Sequence, residues 1–408
     1  MLSSSNKLKR SLSLPMVVLY GMGTILGAGI YVLIGEVAGV AGINTPLSFF
    51  VGAILAGFSS FSYAELSSRF PKSAGEAVYV QEGMGKRWFS IIVGLMVILV
   101  GIVSSATIAK GFVGYLHVFY QLPSSLAVSM LIITLGLIAW WGIKESVFIA
   151  SILTLLELFG LLLIIWIGWD NVDKLPVIWN EIKSQQGLSF LPGVLLGAFL
   201  TFYAFIGFED IVNVAEEVKQ PQRTLPAAII LVLIFTTIIY IAVAMAAIVT
   251  VSPDQLSGQG APLSYIYEIG TGNKPVVITL IGMFAVVNGA LVQIIMGSRI
   301  LYGMGNQGWL PTVFSKIHPK TRTPHIATLL VTVATLIFAL WLPLVTLAKT
   351  TSLITLLIFS FINLALILVK LRDPKPDGVM TYPLWLPIAG FISNLAFIAY
   401  QLFIILSE

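Results

Sequence analysis

Long stretches without a charged residue constrain this chain more than any other feature of its sequence. Segments 11–35, 37–64, 88–109 and 225–253 contain no aspartate, glutamate, lysine or arginine. About 20 predominantly apolar residues are enough for a helix to cross the hydrocarbon core of a bilayer. These segments do not alternate polar and apolar residues with period two, as the strands of a membrane barrel do. The sequence therefore predicts an all-α polytopic membrane protein with the lipid bilayer as its surroundings.

The composition agrees with this class and argues against several kinds of site. Hydrophobic residues make up 58% of the 408 residues and charged residues 10%, whereas a soluble domain carries roughly 25% charged residues. The sequence has no cysteine, which excludes disulfides and thiolate metal sites, and its histidines (His117, His318 and His325) form no metal-binding motif. We expect no metal, no cofactor and no nucleic-acid partner, and we attribute the net charge of +4 to membrane topology.

Hydropathy, together with proline and glycine punctuation, predicts about eleven membrane-spanning helices. Lysines and arginines lie mostly on one side of the predicted spans, which places the N-terminus in the cytoplasm by the positive-inside rule. The predicted organisation is a cytoplasmic N-terminal tail (1–13), a first five-helix repeat (14–169), an extracellular linker (170–190), a second five-helix repeat (191–369), and a cytoplasmic loop with one additional helix (370–408).

Glycines interrupt the first and the sixth predicted spans. Residues 21–35, GMGTILGAGIYVLIG, place five glycines in an apolar span, and each costs on the order of 1 kcal/mol relative to alanine inside a helix. Gly207 interrupts the sixth span at the corresponding place, and paired interruptions are typical of inverted-repeat transporters. A backbone unwound at 27–29 exposes N–H groups suited to a carboxylate and carbonyls suited to an ammonium. The alternative, that the glycines only permit close helix packing, stays open.

Four segments between residues 21 and 311 resemble, in the expected order, the signatures of the amino acid–polyamine–organocation transporters. They correspond to that family's first helix, the loop between helices two and three, the sixth helix with its following loop, and the end of helix eight. In chain order, the segments read GMGTILGAGIYVLIG, FPKSAGEAVYVQEGMGKRWFSIIVG, FIGFEDIVNVAEEVKQPQRTLPAAI and GSRILYGMGNQGWLP.

This resemblance implies a 5+5 inverted-repeat (LeuT-like) core in which helices 1 and 6 are broken and an amino acid binds between the breaks. Many members have twelve helices, one more than predicted here. Some proton-coupled members carry a lysine in helix five, where this chain has Glu157. Carried over by position, the resemblance implies substrate-binding residues on three helices: Ile25, Gly27, Ala28, Gly29, Tyr203, Ala204, Ile206, Gly207 and Gln293.

Two glutamates inside predicted spans are candidates for gating or proton coupling. A charge inside a membrane costs at least a few kcal/mol, so each such residue invites a functional interpretation. Glu209 follows the break at Gly207; it either carries a proton or only caps unwound backbone amides. Glu157 lies among leucines and phenylalanine in TLLELFG, and it either handles a cation or proton or forms a structural hydrogen bond between helices.

Together these features predict a secondary transporter that moves amino acids across a prokaryotic plasma membrane by alternating access. The uncharged side chains at Ala28, Ala204, Ile206 and Gln293 favour a neutral amino acid, with proton symport as one form of coupling. The alternatives are exchange between amino acids, exchange of an amino acid for a polyamine, and, more remotely, a non-transporting membrane sensor. We expect no enzyme, because the sequence has no cysteine, no histidine embedded in the membrane and no metal-binding motif. The sequence does not specify an oligomeric state.

Overall fold

The fold was analysed in a computed structural model, which describes residues 10–72, 75–141, 147–185, 187–319, 321 and 323–407. The side chains at positions 28, 147–150, 405 and 407 lie outside this description. The described residues form these α-helices: α1 (Leu14–Leu26), α2 (Ala28–Ala41), α3 (Thr45–Arg69), α4 (Gly75–Met84), α5 (Arg87–His117), α6 (Ser124–Trp141), α7 (Val147–Trp169), α8 (Leu175–Ser184), α9 (Leu191–Phe205), α10 (Pro221–Thr250), α11 (Pro253–Leu256), α12 (Pro262–Thr271), α13 (Val276–Asn306), α14 (His325–Trp341), α15 (Leu344–Arg372) and α16 (Trp385–Ser407).

The helices confirm a polytopic membrane protein. Nine of the described segments are long and apolar enough to cross a membrane. The segment Gly29–Arg69 counts as two crossings, because the chain turns at Gly42, whose φ of +57° ends α2 before α3 begins. Helix α14 is shorter but also apolar. Helix α1 is the first part of the crossing that α2 continues, so it adds no crossing of its own. Nine segments, one more for the turn and one for α14 make the eleven crossings that the sequence predicts.

The first and sixth crossings are broken, as predicted. Helix α1 ends at Leu26 and α2 begins at Ala28, with Gly27 between them at φ −53° and ψ −109°. In the sixth crossing, α9 ends at Phe205 and a 3-10 helix, Phe208–Glu217, follows. The predicted unwinding over 27–29 is too wide. Only Gly27 leaves the helical conformation, and the other two residues form the first turn of α2.

Helix packing repeats between the two halves of the chain, as an inverted repeat requires. Across the halves, α2 packs on α9, α3 on α10, α5 on α13 and α6 on α14, so each helix contacts its own counterpart. The fifth helices instead have equivalent neighbours in the two halves. Helix α7 contacts α1, α10 and α13, and α15 contacts the equivalent elements α9, α3 and α5. The helices pack as two related five-helix units, with α16 added against α3 and α15.

A buried ion-pair network joins α3 to the end of α15. The Glu65 carboxylate is fully buried and accepts hydrogen bonds from Lys370 Nζ at 2.8 and 2.9 Å, and from Arg69 Nη2 at 2.7 Å. The Tyr382 backbone N–H donates to the same carboxylate at 2.8 Å, and Lys370 Nζ donates to the Tyr382 carbonyl at 2.7 Å. Two cations and a backbone amide thus satisfy one buried carboxylate, which ties the segment before α16 to α3.

Replacing Glu65 with glutamine should strongly destabilise the protein. Removing one partner of a buried ion pair leaves an uncompensated charge and costs about 3–5 kcal/mol, and here both Arg69 and Lys370 would lose their shared counter-ion. We expect Glu65→Gln to lower the free energy of unfolding in detergent by this order. The matched control is Asp373→Asn, because Asp373 lies 3.9 Å from Arg69 but its side chain is 62% exposed; exposed pairs contribute about 0–1 kcal/mol. Equal losses in the two variants would contradict the role of the buried network.

Candidate functional site

A cavity of about 50 Å³ lies between the two broken helices. Its lining combines backbone from the first break with polar side chains from α5, α7, α13 and the segment after α9. It is lined by Tyr20, Gly23, Thr24, Ile25, Gly27, Gly29, Ser104, Ile108, Thr154, Tyr203, Ile206, Asp210, Asn288, Gly289, Val292 and Gln293. We call this the central cavity.

Hydrogen bonds from side chains compensate the backbone carbonyls freed by the breaks. The Tyr240 hydroxyl on α10 lies 2.7 Å from the Ile25 carbonyl and 3.0 Å from the Ala204 carbonyl, so one phenol bridges both broken helices. The Thr24 hydroxyl donates to the Gly207 carbonyl at 2.8 Å. Irregular backbone is tolerated at membrane depth only where protein or a cavity satisfies it. Side chains of the folded protein therefore stabilise both breaks.

The N-terminal turn of α2 supplies the complementary donors. The first N–H groups of a helix have no carbonyl partner within that helix, and the helix dipole places partial positive charge there. This turn begins immediately after Gly27, and Gly27 and Gly29 both line the central cavity. Helix N-termini of this kind commonly bind anions such as carboxylates.

The glycines meet two structural needs, close packing and the break in the helix, at different positions. A Cβ at Gly29 would lie 2.4 Å from the Ala204 Cα, and one at Gly23 would lie 2.1 Å from the Thr154 Oγ1, so these glycines permit close packing. At Gly27 the nearest atom would be 3.6 Å away, and this residue forms the break. Gly207 has a φ of +130°, and a Cβ there would lie 2.5 Å from the Thr24 carbonyl oxygen, so glycine is required on both counts.

The predicted substrate-binding residues fall into three groups. The central cavity is lined by Ile25, Gly27, Gly29, Tyr203, Ile206 and Gln293. Ala204 and Gly207 are not among the lining residues; the Ala204 carbonyl accepts a hydrogen bond from Tyr240, and the Gly207 carbonyl accepts one from Thr24. The side chain of Ala28 lies outside the described residues.

Sequence reasoning missed two polar residues that line the cavity, Ser104 and Thr154. Ser104 on α5 is hydrogen-bonded to the Tyr203 hydroxyl at 3.0 Å, which joins α5 to the break in the sixth crossing. Thr154 on α7 and Asp210 after the break line the same cavity. The available signal was a polar residue inside a long apolar span.

Glu157 does not line the central cavity but is connected to it through one hydrogen bond. Its side chain is 2% exposed and is hydrogen-bonded to the Asn288 side chain, which lines the cavity. The Tyr31 hydroxyl donates to the Glu157 backbone carbonyl at 2.7 Å. Asn288 therefore forms an interhelical hydrogen bond and also lines the cavity. The structural interpretation of Glu157 has a geometric basis, and its proton or cation handling stays a prediction.

A second cavity of about 30 Å³ adjoins the central one on the side where α3 ends and α5 begins. Glu209 lines it and accepts a hydrogen bond from the Gly207 N–H at 2.8 Å, which is the capping arrangement considered from the sequence. Glu76 on α4, a helix between the crossings of α3 and α5, lines the same cavity. Burial raises the pKa of Glu76 from 4.5 to about 7, although a hydrogen bond with Tyr63 opposes the shift.

The raised pKa of Glu76 predicts a loss of stability with rising pH. The folded state holds the Glu76 proton more tightly than the unfolded chain does. The contribution of this proton to the free energy of unfolding is therefore full below about pH 4.5 and disappears as the pH rises through about 7. That displacement corresponds to about 3 kcal/mol. We expect Glu76→Gln to gain stability relative to the unchanged protein between pH 5 and pH 8 in thermal unfolding. Glu82→Gln, on the same helix but facing a different cavity, is the control; a pH-independent difference for Glu76→Gln would refute the assignment.

Comparison with known proteins agrees with this architecture. The family model described as amino acid permease matches residues 12–407. The chain is 30% identical over 396 residues to cationic amino acid transporter 3, mitochondrial, of Arabidopsis thaliana, covering 91% of this chain and 64% of that protein. It is 29% identical to the branched-chain amino acid permease BcaP of Bacillus subtilis, covering 93% and 86%. It is 28% identical to the methylthioribose transporter of the same bacterium, covering 96% and 87%.

These relatives differ in length and in the compounds after which they are named. The chain spans slightly less than two thirds of the Arabidopsis protein, and a larger share of the two Bacillus proteins. The family match, by contrast, runs through all the crossings, from before α1 to the end of α16. With its two broken helices and the cavity between them, this chain belongs to the amino acid permease family.

Proposed function

We propose that this protein is a secondary transporter that carries amino acids across the plasma membrane by alternating access around the central cavity. The observation that carries the proposal is the meeting of the two broken helices at one cavity, with their freed carbonyls bridged by Tyr240. A zwitterion has one group for each kind of helix end: a carboxylate for the N–H groups of α2 and an ammonium for carbonyls. The relatives named above are transporters, which supports transport rather than an enzymatic role.

A neutral amino acid is the substrate we favour. Ser104, Thr154, Asn288 and Gln293 surround the space left for a side chain, and none of them carries a charge. One observation favours a second candidate, a cationic amino acid: the Asp210 carboxyl also lines the central cavity and is 6% exposed. An ionised Asp210 would match a cationic side chain, whereas a protonated Asp210 would match a neutral one. Replacing Asp210 with asparagine therefore separates the two substrates.

Coupling to protons is our proposal for the driving force, with Glu209 and Glu157 as candidate residues. Glu209 lies directly after the break in the sixth crossing, so a change in its charge acts on backbone that must move during alternation. Glu157 reaches the central cavity through Asn288. Exchange of one amino acid for another needs neither residue to titrate and is the alternative.

Ligand-dependent stabilisation of the purified protein tests the substrate class. A ligand at 100 times its dissociation constant adds about 2.7 kcal/mol if it binds only the folded state. We expect a few neutral amino acids to raise the melting temperature, and Asp210→Asn to preserve this response. Stabilisation by cationic amino acids that Asp210→Asn abolishes would select the second candidate. No stabilisation by any amino acid would contradict the proposed function.

Substitution of a single glycine tests the location of the site. Gly29→Val places a side chain where a Cβ would already lie 2.4 Å from Ala204, so the turn that receives the carboxylate cannot keep its position. We expect the variant to lose substrate-dependent stabilisation and uptake in liposomes. Gly303→Ala is the matched control, because nothing lies within 4 Å of the added methyl group on α13. A Gly29→Val variant that still binds substrate with unchanged affinity would place the site elsewhere.

A further inference from the structure

The second cavity brings three carboxyl groups together beside the central cavity. Glu76 on α4, with Glu209 and Asp210 from the segment after α9, lines it, and each is no more than 8% exposed. Ile206, Asp210 and Gln293 line both cavities, so the two spaces share one wall. Glu76 lies within electrostatic reach of both other carboxyls. A group moving between the central cavity and the face where α3 ends would meet these carboxyls in turn.

No positively charged side chain lines this second cavity among the described residues. Helices α5, α13 and α15 contribute uncharged, non-titrating residues to its wall, and α3 contributes Tyr63. An ionised carboxylate buried without a cation costs several kcal/mol, so the three groups cannot all be ionised together. In the described part of the chain, no three carboxylate or histidine side chains are placed to hold one metal ion. Protons are the cations that suit a cavity of this size and lining.

A hydroxyl on the opposite wall supplies an independent observation. Thr355 on α15 lines the second cavity, is 2% exposed, and its Oγ1 has no hydrogen-bond partner among the described residues. A buried hydroxyl without a partner is costly. A carboxylic acid in the cavity has an O–H to donate and a carboxylate has oxygens to accept, so Thr355 can serve either protonation state.

We infer that Glu76 is a proton-accepting residue that connects the carboxyls beside the central cavity to the face where α3 ends. In this step, the O–H bond of the Glu209 carboxylic acid breaks and an O–H bond forms on the Glu76 carboxylate. Glu209 becomes the charged partner, and the net charge of the cavity does not change. Because α4 lies between crossings and not within one, Glu76 can then release the proton to water on that side. The inference rests on the proposed function, since it supplies the transporter with a path for its coupling ion.

The affinity of Glu76 for protons suits this role. Its pKa of about 7 means that small changes of environment move it between the neutral and the charged form near physiological pH. The facing titratable groups are Glu209 and Asp210 on the segment after α9, Tyr63 on α3, and Tyr79 on its own helix. The electrostatic coupling of Glu76 with Glu209 is reciprocal, so a negative charge on either carboxyl favours proton binding at the other.

Two measurements on the full chain in liposomes test the assignment. The first compares amino acid counterflow with substrate-driven proton influx, reported by a trapped pH dye, for the unchanged protein, Glu76→Gln and Glu82→Gln. We expect Glu76→Gln to lower proton influx at least tenfold more than counterflow, and Glu82→Gln to lower both by less than twofold. Proton influx by Glu76→Gln that stays in proportion to its counterflow would overturn the inference. Counterflow without proton influx in the unchanged protein would also overturn it, while the proposed transport would stand.

The second measurement does not depend on transport. Infrared titration between pH 5 and pH 9 follows the carbonyl band of protonated carboxyl groups in the folded protein. We expect the unchanged protein and Glu82→Gln to lose a band near pH 7 that Glu76→Gln lacks. The same titration in all three proteins would overturn the inference. Absence of amino acid counterflow, with this band present, would contradict the proposed transport and leave Glu76 as the proton-binding group of the cavity.

Discussion

The need to satisfy interrupted backbone inside a membrane is the constraint on which the rest of this structure depends. Two helices are broken beside the same cavity, and a broken helix leaves carbonyls and amides that no lipid can compensate. The Tyr240 hydroxyl is within hydrogen-bond distance of one carbonyl from each of the two helices, and the Thr24 hydroxyl donates to the Gly207 carbonyl. The first amides of α2 have no carbonyl partner within their own helix. Under the proposed function, these amides bind the substrate, while Tyr240 and Thr24 stabilise the carbonyls at the breaks.

Buried acidic groups are treated in opposite ways at two places in the fold. Glu65 is held between two cations and a backbone amide, an arrangement that fixes its charge and its position. The carboxyls of the second cavity have no cation on their wall within the described residues, and so their charge depends on protons. Both sites lie toward the face where α3 ends. The Glu65 network holds that face together, whereas the carboxyls of the second cavity can change their charge without a change in their packing.

Local sequence features predicted the breaks well, because glycine and charge mark them directly. Gly207 stands beside Glu209 in an otherwise apolar span, and the structure puts the break there. The width of the first break was overestimated because the reason for Gly29 is the approach of Ala204, from a helix far along the chain. Ser104 was missed for a related reason. A polar residue in an apolar span faces a cavity or a neighbouring helix, and tertiary packing decides which.

Glu76 shows where sequence reasoning ends. It lies in a polar segment between crossings, where a carboxylate is ordinarily solvated. Its burial depends on the packing of α4 against α5 and α15, which no local pattern announces. The family resemblance covers this segment but assigned Glu76 no role. The proton-accepting role inferred for it therefore arises from the assembled helices.

The network around Glu65 has a consequence for how the surrounding medium acts on this face. Mobile ions screen charges that they can approach within a Debye length, about 8 Å at physiological ionic strength, and screen buried pairs much less. Lys370, Arg69 and Glu65 are all closed off from solvent, whereas Asp373 stands exposed at the edge of the same group. Salt should therefore weaken the interaction of the exposed Asp373 with Arg69 and leave the buried interactions of Glu65 unchanged. The buried ion-pair network, which ties the segment before α16 to α3, should therefore be equally stable at low and at high ionic strength.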